Sequence, residues 1–380
     1  MQIALIAKAG HPHTGVGRYT SDLTQALKAL GHRVALTHPI MPVPSVVARA
    51  GQHLAGLDAQ AFFNNYPVRA NPPRADVVHV TSQNLATVLL TRRTNIPTVV
   101  TVHDIIPYMV RDDPNLSTYR TWADRVFDQL ALAGVRRARA LISVSEYTRQ
   151  TLQRELGIPP ERVAVVHHGI DHERFCPRAV PSDLWDRYGL RRDRRYLIYV
   201  GSEDPRKDLG TLIDALALVR ETEPDAALIK VGSAHFADER ERLVSRARAR
   251  GVADAIHFLN DVSDADLPLL YSLARVCVMP SRFEGFGIPV LESMACGTPV
   301  VAADASSLPE LVGEAGLLSP PRNPVLLADA ICRLLDRARW SRDWRVASLA
   351  RARTFTWERA ARQVLHTYEA ARRDGSERAA

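Results

Sequence analysis

Cysteine is scarce in these 380 residues: Cys176, Cys277, Cys296 and Cys332 stand alone, with no CxxC or CxH spacing. That excludes a zinc ribbon or a disulfide framework and fits a reduced cytoplasm. Long apolar runs are missing too. The opening MQIALIAKAG is too short for a signal peptide or a membrane span, and it runs into a glycine turn as a first strand would. There is no low-complexity tract and no short internal repeat. Nor is there a nucleic-acid module, because the arginines (Arg136, Arg137 and Arg139, or Arg246, Arg248 and Arg250) are spread along helical stretches rather than gathered with aromatics.

What is present is a globular composition, 46% hydrophobic and 24% charged, in a length that suits two domains. The net charge of +7 favours anionic partners without choosing among them. It reads first as solvated helix faces and second as a membrane-facing patch.

Short β-branched runs alternate with helical periods, the signature of parallel α/β units. Ile3 to Ala7, Arg33 to Thr37, Asp76 to Val80, Thr98 to Val102, Ala140 to Val144 and Val163 to Val166 read as strands. Segment 38–75, rich in Pro, reads as a long excursion. A second set starts at Tyr196 and continues through Ala227 to Val231, Ile256 to Leu259, Val276 to Met279 and Pro299 to Ala302. The expected organisation is therefore an N-terminal Rossmann-like domain over 1–175, a linker over 176–195 and a C-terminal Rossmann-like domain over 196–355. A final helix over 356–380 is expected to pack back across them. Ligands of such sheets bind outside the carboxyl ends of the strands, so two facing sheets predict a site in the cleft between them.

PSRFEGFGIPVLE at 280–292 has the order strand, glycine loop, helix. Gly285 and Gly287 let backbone approach a ligand, Pro289 suits a first helical position, and the helix amino end binds phosphate through N–H groups. Glu284 is placed on the loop and Glu292 in the first helical turn, where a carboxylate accepts the hydroxyls of a ribose or caps the helix. VGSEDPRKDLGTLIDAL at 200–216 repeats the order, with Arg206 and Lys207 where the helix starts. Cations there oppose the helix dipole, and a bound diphosphate gives a reason for them.

Gly15 and Gly17 open a helix after the first strand, but Thr20 stands where a dinucleotide fingerprint needs glycine, against a dehydrogenase. His103 and Asp104 follow a strand directly and can bond a sugar hydroxyl or cap a helix, with an ordinary structural role equally open. His11, His13, His167, His168 and His172 have no zinc spacing. Asp261, Asp264 and Asp266 suggest a cation less well than they suggest Asp264 as a helix cap. Neither a metal nor a cofactor is assigned.

Taken together these segments resemble the family-4 glycosyltransferases of the GT-B fold, two doubly wound Rossmann-like domains of the α/β class. EGFGIPVLE is similar to that family's E-x7-E motif. TGVGRYTSDL, TVHDIIP, ISVSEYT, VVHHGID, MACGTPVVA and ASSLPELVGEAG fall in family order. The resemblance implies a retaining, metal-independent hexosyltransferase taking a nucleotide diphosphate sugar, with a GDP-mannose type favoured over a UDP-sugar. The acceptor would be a glycan or lipid-linked precursor of a cell-surface polysaccharide or glycolipid, and no nucleic acid is expected as a partner.

It further implies that Glu292 takes the ribose, and that Glu284, Gly285, Phe286 and Gly287, with Val290, hold the donor. Arg206 and Lys207 would neutralise the departing diphosphate, Gly15 and Gly17 would lie against phosphate or sugar, and His103 near the sugar. One departure is His168, where many relatives carry Asn before the glycine. The location implied is cytoplasmic, with peripheral contact at the inner face of the plasma membrane. A non-catalytic sugar-nucleotide binding subunit and a nucleotide-sugar epimerase are the alternatives.

Overall fold

The computed structural model describes residues 1–8, 15–39, 43, 59–91, 95–119, 121–234, 237–335 and 342–377. The chain forms two compact units, Met1–Gly169 with Trp357–Ala380, and Ile170–Thr356.

Unit 1 is built on six parallel strands: β1 (Gln2–Ile6), β2 (Arg33–Thr37), β3 (Val77–Val80), β4 (Thr98–Val102), β5 (Ala140–Ser143) and β6 (Val163–Val165). Their order is β2-β1-β3-β4-β5-β6. Both faces of this sheet are covered, so its strands read as continuous apolar runs rather than alternating ones. Alternate residues go to opposite faces: Ala4 and Ile6 join one core with Val100 and Leu132, while Ile3 and Leu5 join another with Leu23, Val364 and Tyr368. The second core brings the Trp357–Glu377 helix onto the first helix, Gly15–Ala29.

On the first face the Trp122–Arg137 helix starts from a capping box. Thr121 Oγ1 accepts from the Asp124 N–H, and Asp124 accepts from the Thr121 N–H at 2.9 Å. Gly134 of this helix lies against the Gln83–Thr87 turn, where a Cβ would sit 2.0 Å from the Ala86 carbonyl oxygen. Only glycine fits there. Of the Pro-rich excursion 38–75, the structure shows a helix at Ala59–Asn65, and residues 44–58 lie outside the described residues.

Unit 2 holds β7 (Arg195–Val200), β8 (Ala226–Val231), β9 (Ile256–Leu259), β10 (Val276–Met279), β11 (Val300–Ala303) and β12 (Gly316–Ser319). All are parallel, in the order β12-β11-β10-β7-β8-β9. Within segment 176–195, Asp183–Arg187 is helical and belongs to unit 2. The order reverses between β7 and β10, neighbours whose chain connections run to opposite edges of the sheet. The crevice outside their carboxyl ends is the natural ligand site of a doubly wound sheet.

Candidate active site

At that crevice two loops bring charged residues together. β7 feeds a turn through Gly201 to Asp208, and β10 feeds the Pro280–Gly287 loop. The Arg282 N–H donates to the Arg206 carbonyl at 2.9 Å and stitches the two together. Lys207 Nζ then lies 2.5 Å from Glu284 Oε1. Arg206 Nη1 donates to the Phe283 carbonyl at 2.8 Å, with the Glu284 and Asp204 carboxylates 3.9 and 3.8 Å from its guanidinium.

The side chains of Lys207, Arg206 and Glu284 are only 12%, 19% and 10% exposed, so water screens the cluster little. Burial pulls the Lys207 ammonium down, and Glu284 opposes it. Burial alone would raise the Glu284 carboxyl, but Lys207 and Arg206 hold it below the ordinary carboxylate range. Residues 77 positions apart thus meet in one charged pocket.

A second cluster, with Lys230 and Glu203 wholly buried, braces this turn from inside. Lys230 on β8 donates to Glu203 Oε1 and to the Gly232 carbonyl, each at 2.5 Å. Arg240 Nε reaches both Glu203 oxygens, at 2.7 and 2.9 Å. Burial would raise the Glu203 carboxyl, and the Arg240 and Lys230 hydrogen bonds reverse that, leaving it low. Glu203 precedes Arg206 by three residues, so this cluster fixes the entry to the turn.

Gly287 caps the Ile288–Ala295 helix with φ 104°, and a Cβ would meet Leu308 Cδ2 at 3.0 Å. Ser307 Oγ donates to the Glu284 and Phe286 carbonyls at 3.0 Å each, and Ser306 Oγ accepts from the Glu284 N–H at 3.0 Å. Pro289 is the second helical residue, and Glu292 falls in the second turn rather than the first, because the helix begins at Ile288.

Glu292 is 1% exposed and accepts from the Tyr271 hydroxyl at 2.9 Å. Burial first, then the Glu292 charge, pushes that phenol far up, so it stays a donor. Val290 is fully buried with its N–H on the Gly287 carbonyl, and Phe286 packs edge-on against Phe355. Their side chains are therefore core rather than lining.

Unit 1 arms its own carboxyl edge differently. Gly15 is exposed and Gly17 half-buried at the start of the first helix, while His11 and His13 lie outside the described residues. His103 follows β4. Its N–H donates to Gln83 Oε1 at 3.1 Å and its Nε2 lies 2.9 Å from the Thr81 carbonyl oxygen. A carbonyl only accepts, so Nε2 carries the proton. Burial lowers the ring's pKa, which keeps it neutral and leaves Nδ1 as an acceptor.

His168 stacks on His103 at 5.5 Å and 14°, and Tyr19 meets both rings edge-on at 4.9 and 5.0 Å. Asp104 Oδ1 accepts from the Ile106 N–H at 3.0 Å and caps the turn that follows. Beneath this stack runs a buried chain: Tyr19 Oη to Thr101 Oγ1 at 2.8 Å, Thr101 Oγ1 to His79 Nε2 at 2.8 Å, and His79 Nδ1 to Tyr368 Oη at 2.7 Å.

The helix-cap reading of Asp264 needs correction. Asp264 does not cap the Leu267–Leu273 helix: Asp266 occupies the cap position, and Asp264 takes Arg174 at 2.6 Å. Asp266 is itself held by Arg187 at 2.6 Å and by the Tyr188 hydroxyl at 2.8 Å. Among the described residues no group of three or more His, Cys, Asp or Glu side chains is placed to hold a metal ion. Tyr271, Ser307, Glu203 and Lys230 were not anticipated. The signal for Lys230 was there: the chain has four lysines against forty-five arginines, and this one interrupts an apolar strand.

Two doubly wound parallel sheets, one with a buried Arg-Lys-Glu cluster at its topological switch point, define a GT-B glycosyltransferase. Residues 13–174 match the family model described as Glycosyltransferase Family 4, and residues 194–337 the one described as Glycosyl transferases group 1. The O-antigen chain mannosyltransferase B of Escherichia coli is 34% identical over 236 residues, a span that covers 61% of this chain and 61% of that relative's length. The MMP alpha-(1->4)-mannosyltransferase of Mycolicibacterium hassiacum is 29% identical over 98% of each chain. The solved sucrose-phosphate synthase of Thermosynechococcus elongatus superposes with a TM-score of 0.74 at 25% identity, covering 97% of this chain and 98% of that one. The chain belongs to the group 1, family-4 glycosyltransferases, and its class is that of the hexosyltransferases.

Proposed function

We propose that this chain transfers a hexose, with retention and without a metal ion, from a nucleoside diphosphate sugar to a glycan or lipid-linked acceptor. The observation that carries the reading is the Arg206-Lys207-Glu284 cluster. As the bond from the anomeric carbon to the diphosphate breaks, negative charge grows on the leaving phosphate oxygen. Two cations fixed in a poorly hydrated pocket stabilise that charge, the kind of term that dominates many such reactions, and they do there what a divalent ion does elsewhere.

Glu284 holds Lys207 in place and takes a sugar hydroxyl. Gly285 and Gly287 bring the loop backbone to the donor, and Glu292 takes the ribose. On unit 1, Gly15 and Gly17 lie against phosphate or sugar, and His103 Nδ1 accepts from a sugar hydroxyl. The acceptor hydroxyl attacks on the face that the diphosphate leaves, and its proton goes to the leaving phosphate oxygen.

A GDP-mannose donor is put first because two relatives are named mannosyltransferases, with UDP-sugars second. Surface polysaccharide or glycolipid synthesis at the cytoplasmic face of the membrane is the setting that follows. Among the described residues no helix is long and apolar enough to cross a membrane.

The test is calorimetric titration with GDP-mannose, UDP-glucose, UDP-N-acetylglucosamine and NAD without added metal, followed by nucleoside diphosphate release. One sugar nucleotide saturates the protein, and Arg206→Ala lowers turnover by roughly 10²–10³-fold. Unchanged turnover in Arg206→Ala would sink the diphosphate role. Unchanged donor affinity in Glu292→Ala would remove the ribose role. Binding of NAD alone would point to an epimerase, and donor binding with no release to a non-catalytic subunit.

A further inference from the structure

The Trp122–Arg137 helix of unit 1 buries one face through Ala131, Leu132, Gly134 and Val135 and presents another to solvent. The solvent face is not polar. Trp122 is 76% exposed, Val126 40% and Leu130 39%, at a spacing of four residues that sets them in one row. A single exposed Leu needs no explanation, but a row headed by an almost wholly exposed Trp does.

The exposed charges of the helix itself have one sign. Arg125, Arg136 and Arg137 are exposed, while the two acids of the helix are turned away: Asp124 is used by the capping box and Asp128 is buried against the Tyr119 hydroxyl. Arg125 meets Asp112 of the preceding loop at 3.0 Å. Arg136 and Arg137 donate to main-chain carbonyls, of Leu156 at 2.9 Å and Leu90 at 2.7 Å, and among the described residues neither forms an ion pair.

Trp is the side chain suited to a boundary between water and hydrocarbon, and a helix with apolar and Arg-bearing flanks lies along such a boundary. We propose that this face of the Trp122–Arg137 helix is a docking surface for an anionic lipid bilayer, with Trp122, Val126 and Leu130 entering the interface and Arg136 and Arg137 meeting lipid phosphates.

Its place in the fold gives the surface a use, and this step rests on the glycosyl-transfer reading. β4 ends at Val102, His103 follows it, and the helix carries the chain back toward the start of β5 at Ala140. A crossover helix runs against its strands, so the Trp122 end lies at the same carboxyl edge as His103 and Gly15. A helix of this length spans roughly 24 Å. A bilayer along it would present a lipid-linked acceptor at that edge.

Co-sedimentation of the full chain with vesicles tests this, comparing phosphatidylcholine alone with phosphatidylcholine mixed with phosphatidylglycerol, without donor. The expected result is binding to the mixed vesicles that weakens with salt. It should fall roughly ten-fold or more in Trp122→Ser and roughly five-fold for each of Arg136→Gln and Arg137→Gln. These side chains are exposed, so the variants fold. No binding to mixed vesicles, equal binding to both vesicle types, or binding indifferent to Trp122→Ser would each overturn the proposal. So would light scattering that shows a dimer turned monomeric by Trp122→Ser, since the row would then be a contact between copies. Titration of GDP-mannose, UDP-glucose and UDP-N-acetylglucosamine on the same samples separates the two readings. Donor binding without vesicle binding defeats this one alone, and vesicle binding without donor binding defeats the other.

Discussion

The two units use related sheets and arm them in opposite ways. At the edge of unit 2 the candidate groups are charges held by charges: Lys207 on Glu284, Arg206 near Glu284 and Asp204, and behind them Lys230 and Arg240 on Glu203. At the edge of unit 1 they are neutral rings held by rings, His103 under His168 with Tyr19 across both, above the Tyr19-Thr101-His79-Tyr368 chain. The difference matches the two jobs proposed. A diphosphate needs fixed positive charge, whereas a sugar hydroxyl needs a neutral acceptor of set tautomer.

Acid should separate the two units most strongly. Burial lowers the pKa of His79 to about 3 and also lowers those of His103 and His168. The unfolded chain therefore takes up these protons at a higher pH than the native one, so unit 1 loses stability as pH falls from about 6.5. Glu203 and Glu284 are depressed instead. Their contribution is present above the ordinary carboxylate range and is lost only as pH falls through their lower folded values. Hydrogen exchange of peptides from each unit across a pH series should show unit 1 opening first, and simultaneous opening would dissolve the contrast.

Glu203→Ala should come next. It leaves Lys230 fully buried without its counter-charge, a loss of roughly 3–5 kcal/mol, read in unit 2 peptides while those of unit 1 hold. His79→Ala is the mirror experiment. It strands the Tyr368 hydroxyl in the core and leaves Thr101 only Tyr19, for about 2–4 kcal/mol, and donor affinity should stay unchanged. Gly287→Ala should cost about 1–3 kcal/mol through its backbone angle and weaken donor binding as well. Smallest is Thr121→Ala, which removes a helix cap for about 1 kcal/mol and should alter vesicle binding before turnover.

Much of this was legible in advance because β-branched runs mark buried parallel strands. β2 and β4 begin and end where their apolar runs do, and β1, β5 and β10 differ by a residue at most. β12, with the sequence GLLS, went unseen because it is short, lacks a β-branched residue and begins with glycine. In the candidate site, Arg206, Lys207 and Glu284 carried their own signal as charges beside glycine in strand-to-helix turns. Their pairing carried none, since it depends on β7 and β10 being neighbours. Tyr271 on Glu292 was invisible for the same reason. Asp264 and Asp266 show the limit of cap chemistry: several acids preceded the helix, and partners distant in sequence, Arg174 and Arg187, decided their roles.

The hydrogen bond between His79 and Tyr368 joins residues 289 positions apart. Its consequence reaches into biosynthesis. Unit 2 is one uninterrupted stretch and can close its core as soon as Thr356 has left the ribosome, whereas unit 1 waits for the helix that begins at Trp357. The half made first is thus finished second, the reverse of the usual N-terminal-first order. Until then the cavity reserved for Val364 and Tyr368 stands open on the nascent chain.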